Sequence, residues 1–147
     1  MKELFLLSGL GADKRVFEFL DLSGYKLSYI EWVMPEENES IEQYTKRLLP
    51  QINDPKPVLV GVSFGGMMAV EIGKLIETDK IILISSAKTK FEIPLYFRFI
   101  GQLRLHTLIP TRVLKKTTGM AFWFFGVNTQ YERDLLKSII QETDNKF

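Results

Sequence analysis

A chain of 147 residues with 46% apolar and 25% charged side chains is long and apolar enough to bury one ordinary core. Nineteen basic against eighteen acidic residues leave a net charge of +1, which gives no electrostatic reason to expect nucleic acid or an anionic membrane as a partner. The absence of cysteine excludes disulfides, thiol catalysis and cysteine-held metal, and fits a reducing compartment.

Met1 to Ser8 holds only four or five apolar residues in a row, short of the roughly seven to fifteen of a signal peptide. Met120 to Val127, the most apolar later run, is far short of the roughly 20 residues that span a bilayer. A soluble, cytoplasmic protein is expected. Leu4–Leu7 reads as a buried strand that ends in the turn Ser8-Gly9-Leu10-Gly11. Asp13 can cap a helix with Val16, Phe17 and Leu20 on one face. Tyr25 to Val33, rich in aromatic and β-branched residues, predicts a second strand. Ser40-Ile41-Glu42-Gln43 has the form of a capping box, and the helix it opens runs to about Leu49 before Pro50.

Pro57 to Val62 predicts a third strand. Its unbroken Val and Leu run suits a strand covered on both faces, as in parallel sheets. A helix follows Ser63 to about Ile76, and Lys80 to Ser85 predicts a fourth strand. Strands alternating with helices predict an α/β layered domain over residues 1–87. The character changes at Lys88: the rest, 88–147, reads as helical segments crowded with aromatics such as Phe91, Phe97, Trp123 and Phe125. Thr129-Gln130-Tyr131-Glu132 is a further capping box, opening a helix with Leu135, Leu136, Ile139 and Ile140 on one side.

Gly61-Val62-Ser63-Phe64-Gly65 sits between a buried strand and a helix, the context in which Gly-x-Ser-x-Gly holds a nucleophilic serine. Gly61 and Gly65 allow backbone to approach a tight, strained turn, and Ser63 is lifted clear at a helix N-terminus. The competing reading is a small-residue turn with an inert serine. An oxyanion would need two N–H donors. Phe64, after the serine, supplies one, and Leu10 in the loop after the first strand is the candidate for the other, with Gly9 and Gly11 keeping that loop thin. By itself Gly-Leu-Gly is also an ordinary strand-to-helix turn.

The stretches "LFLLSGLGADKRVF", "PVLVGVSFGGMMAVEIG" and "KIILISSA", in that order, resemble the α/β-hydrolases, of the small kind with a helical cap. The resemblance implies a three-layer α/β/α fold with a mostly parallel sheet in the strand order second-first-third-fourth. It also implies Ser63 as nucleophile, Leu10 and Phe64 as oxyanion donors, and residues 88–147 as cap. One departure is that many members begin the oxyanion loop with His-Gly, where this chain has Ser8-Gly9.

The family places the acid and the histidine after later strands, and the sequence therefore resembles an N-terminal part that lacks them. His106, in "GQLRLHTLI", and Glu92 are the stand-ins this chain offers. Glu71 and Glu77 point from the elbow helix, and Asp79 precedes its strand at the far edge. Without a base a serine hydroxyl is a poor nucleophile at neutral pH, so the chain alone is expected to be nearly inactive. The expected function is serine hydrolysis of a small ester, thioester or amide through an acyl-Ser63 intermediate, with an apolar acyl or alkyl group as the substrate's chemistry. The alternative is a non-catalytic small-molecule binding module. A nucleotide-binding domain fits neither "GLGADK" nor "GVSFGG", and one histidine without cysteine offers no metal set. No cofactor is expected. The Lys80–Ser85 strand at a sheet edge is expected to invite self-association.

Overall fold

Strands β1 (Glu3–Leu7), β2 (Lys26–Tyr29), β3 (Val58–Val62) and β4 (Lys80–Ile84) pair in the order β2-β1-β3-β4, every pair parallel. The computed structural model describes residues 1–9, 11–89, 91–92, 127 and 129–142. The α/β architecture and the strand order match the expectation from sequence. The chain divides into two compact units, one spanning Met1–Glu92 and the other spanning Ile93–Lys146.

Alternation along the central strands splits the core in two. Phe5 and Leu7 of β1 and Leu59 of β3 face helices α1 (Ile41–Leu48) and α2 (Phe64–Leu75), where Tyr44, Leu48, Met68, Ala69 and Ile72 complete a buried cluster. Leu4 and Leu6 with Val58 and Val60 face the other way, against Phe17. Both faces are thus covered, which is why β1 and β3 read as unbroken apolar runs.

Two elements differ from expectation. The segment after Asp13 is a single 3₁₀ turn, Lys14–Phe17, in which Asp13 accepts from the Arg15 N–H, and only Phe17 is buried. Leu20 stays exposed, so no second apolar anchor draws another turn onto the sheet. The second strand stops at Tyr29 rather than Val33. Ile30 still donates to the Leu6 carbonyl at 2.9 Å. Glu31 then pairs with the Gln51 side chain in both directions, at 2.8 and 2.9 Å, and β1 offers no further partner once it ends at Leu7.

Helix α1 begins as predicted: the Ser40 hydroxyl accepts from the Gln43 N–H and the Gln43 side chain accepts from the Ser40 N–H. Arg47 ties the preceding loop to this helix by donating to Glu39 at 2.8 Å and to the Met34 carbonyl at 3.0 Å. In the second unit, helix α3 (Gln130–Glu142) also starts at its predicted box: Glu132 N–H donates to Thr129 Oγ1 at 3.2 Å, and Glu132 accepts from the Thr129 N–H at 2.9 Å. The aromatics from Tyr96 to Phe125, expected to belong to a cap, lie outside the described residues, and Phe91 is exposed. No helix among the described residues is long and apolar enough to cross a membrane.

Candidate active site

Ser63 occupies the N-cap position of α2 with φ 53° and ψ −119°, and its side chain makes no capping hydrogen bond. The contrast with Ser40 is informative. Ser40 has φ −76° and ψ 157° and spends its hydroxyl on its own helix, as N-cap serines ordinarily do. The positive φ at Ser63 turns its side chain away from the first turn of α2 and leaves it exposed. A non-glycine residue in such a region costs about 1–3 kcal/mol and persists only where its surroundings over-determine it.

Those surroundings are explicit. The Ser63 N–H donates to the Ile84 carbonyl, the last residue of β4, at 2.9 Å. The Ser63 carbonyl accepts from Gly66 N–H at 3.0 Å, Met67 N–H at 3.4 Å and the Ser86 hydroxyl at 2.6 Å. Both backbone polar groups of the bend are therefore held, partly from β4 and the residues just after it. Ser86 was not singled out by sequence reasoning. The only signal for it is a small polar residue directly after an apolar strand, in "KIILISSA".

The glycines do what the tight turn requires. A Cβ on Gly65 would overlap the carbonyl oxygens of Leu7 and Ser8, and one on Gly61 would overlap Gly66. Gly65 thus lets the start of α2 press against the end of β1. That contact brings the opening loop to the elbow: a Cβ on Gly9 would lie 3.5 Å from the Ser63 Cβ. Gly9 is thus beside Ser63 without needing to be glycine for space, whereas Gly11 needs it for its φ of 68°.

The opening loop is stapled at both ends. Ser8, standing where many α/β-hydrolases have histidine, is buried and donates from Oγ to the Ala12 carbonyl at 2.7 Å. It accepts from Trp32 Nε1 at 3.0 Å, and Ala12 N–H returns to the Gly9 carbonyl at 3.0 Å. Trp32 also packs its ring 5.6 Å from that of Phe64 and 6.4 Å from that of Tyr44. Leu10, the expected second oxyanion donor, lies outside the described residues. Phe64 opens α2, and the N–H of a first helical residue has no carbonyl of its own helix to donate to.

Next to Phe64 lies a cleft of about 180 Å³, lined by Pro35, Glu39, Ser40, Ile41, Tyr44 and Met68 as well. Its polar groups are already engaged. Tyr44 donates to the Val33 carbonyl at 2.8 Å, with burial raising its phenol. The Glu36 N–H and the Arg47 guanidinium hold the Glu39 carboxyl below the usual range. The surface left to a ligand is therefore apolar.

Of the two stand-ins, Glu92 is exposed and bound within its own turn, where its carboxylate accepts from Lys88 N–H at 2.8 Å and Thr89 Oγ1 at 3.4 Å. His106 lies outside the described residues. Asp79 pairs with Lys2, at the strand starts and away from the elbow. Glu71 pairs with Lys74.

A parallel sheet with its exposed serine on a strained strand-to-helix bend places the molecule in the α/β class of hydrolase-like folds. The chain belongs to the Uncharacterised protein family UPF0227, whose model matches residues 10–92, elbow included. No curated protein matches its sequence. Among solved structures it is similar to the bottromycin epimerase BotH, solved in complex with bottromycin A2, at 17% identity and a TM-score of 0.58. The match covers 99% of this chain and 60% of BotH, so the chain spans about 60% of that protein's length. At this identity the likeness is one of fold.

Proposed function

We propose that the protein is a serine hydrolase in which the Ser63 hydroxyl attacks a small ester, thioester or amide and is transiently acylated. The observation that carries this reading is the conformation of Ser63: a serine at an N-cap that does not cap, held at φ 53° with its side chain exposed. A glycine would sit there without strain, so a serine in that place suits a role its hydroxyl performs. The N–H of Phe64, with that of Leu10 as the proposed second donor, would stabilise the oxyanion. The small, apolar cleft beside Phe64 favours an apolar acyl or alkyl group. Base and acid are left unassigned, since the stand-in Glu92 is bound within its own turn, and residues 88–147 are the proposed cap.

Hydrolysis of p-nitrophenyl esters of increasing acyl length tests the reading. Slow release above the buffer rate is expected, slow because no base is assigned to the hydroxyl, and greatest for acyl groups that the cleft admits. The second reading, a non-catalytic binding module, would be favoured by saturable binding of the same esters without turnover. It draws on the unassigned base.

Self-association through the outer edge of β4 is the proposed partner interaction. Ile82 on that strand is 40% exposed, and an open edge offers unpaired backbone groups to a second copy. Light scattering at about tens of micromolar, where a Kd of that order populates the dimer, is expected to give more than a monomer mass. A clean monomer would contradict it.

A further inference from the structure

We propose that Ser86 is a positioning residue, whose hydroxyl holds the Ser63 peptide in its attacking conformation; this rests on the reading of Ser63 as nucleophile. Ser86 Oγ donates to the Ser63 carbonyl at 2.6 Å, from 23 residues further along the chain. The Ser63 carbonyl is at once the first acceptor of helix α2 and one side of the strained bend. The Gly66 and Met67 N–H groups that share it belong to the helix and would follow the carbonyl wherever the helix placed it. Ser86 does not belong to the helix. It stands two residues past the end of β4, whose last residue, Ile84, accepts from the Ser63 N–H.

The residue between these two anchors, Ser85, itself has φ 47°. The chain leaving β4 is thus turned so that residue 84 receives the Ser63 N–H and residue 86 gives to the Ser63 carbonyl. Space is kept for this contact: a Cβ on Gly66 would overlap the Ser86 hydroxyl. The two bonds fix both ends of the Ser63 backbone to the sheet and leave its hydroxyl as the free part. Ser86 makes no contact with the reacting atoms in this scheme. It sets where the nucleophile stands.

The test compares Ser86→Ala, Ser86→Thr and Ser86→Cys with the unaltered chain by two readouts. The first is the kcat and KM for a short p-nitrophenyl ester; the second is the ¹³Cα and ¹³Cβ shifts of Ser63, which report the sign of its φ without requiring turnover. Ser86→Ala is expected to lower kcat about tenfold with KM little changed, as a misplaced reacting group does, and to move the Ser63 shifts toward ordinary negative-φ values. Ser86→Thr, which keeps the hydroxyl, is expected to restore both. Ser86→Cys keeps the bulk with a weaker donor and is expected to resemble Ser86→Ala, which also covers the event that the smaller side chain impairs folding. Unchanged Ser63 shifts in both the Ala and the Cys variant would overturn the proposal, whatever the activity. Shifts that move as expected in a chain without turnover would uphold the clamp and count against Ser63 as nucleophile.

Discussion

Gly65→Ala is expected to lower the melting temperature by about 10 °C or more, a loss of about 3 kcal/mol. The added methyl would overlap the carbonyl oxygens of Leu7 and Ser8. Neither atom is the end of a flexible side chain. Leu7 is a paired residue of β1, matched to Gly61 of β3, and Ser8 is fixed by its bonds to Ala12 and Trp32. Relief requires moving α2 off the sheet, and with it Met68, Ala69 and Ile72, which are fully buried. Gly9→Ala is the matched control. Its methyl would meet Ser63 Cβ at 3.5 Å, an ordinary contact, so a change within about 1 kcal/mol is expected. Equal melting temperatures for the two variants in thermal unfolding would contradict the packing described for the elbow.

Replacing Ser63 separates function from stability. Ser63→Ala is expected to remove the part of ester turnover that passes through the acyl-enzyme, together with its burst, a loss of about tenfold or more that grows with how far a base activates the hydroxyl. The fold should be untouched, because the Ser63 side chain caps nothing and is exposed. Ser63→Gly should lose the same part, yet be more stable than the starting chain by about 1 kcal/mol, since glycine adopts φ 53° without the strain. Gain of stability with loss of activity is the signature of strain kept for a purpose. A Ser63→Gly chain no more stable than the original would mean that the bend is not strained. Undiminished turnover in both variants would remove Ser63 from the chemistry.

What could be read in the sequence follows from where the determining forces act. β1 and β3 were legible because strands covered on both faces are apolar throughout, as "LFLL" and "VLVGV" are, and β4 because its "IILI" run is apolar even though the strand is only partly buried. The starts of α1 and α3 were legible because a capping box is satisfied within four residues. The helix expected after Asp13 shrank to one 3₁₀ turn because helix length depends on what a face can bury, and Leu20 has no place on the sheet. The end of β2 is set by Gln51, twenty residues away, which takes over the backbone of Glu31. Such a contact leaves no local pattern.

The site divides along the same line. The Gly-x-Ser-x-Gly spacing carries the elbow, since its demand for small residues is local. Its supports do not show in any spacing: Ser86 against the Ser63 carbonyl, and Trp32 through Ser8 onto the opening loop, are side chains brought together by the sheet. The cleft beside Phe64 likewise draws its walls from the loop before α1 and from both helices.

Covalent labelling by a fluorophosphonate, located by peptide mass spectrometry, addresses the central claim most directly. The reagent reacts with a serine that is exposed at a site that stabilises an oxyanion, and does so slowly where no base activates the hydroxyl. The expected result is a single phosphonylated peptide carrying the modification on Ser63. A folded chain that stays unlabelled, or one labelled on Ser85, Ser86 or another serine instead, would contradict it.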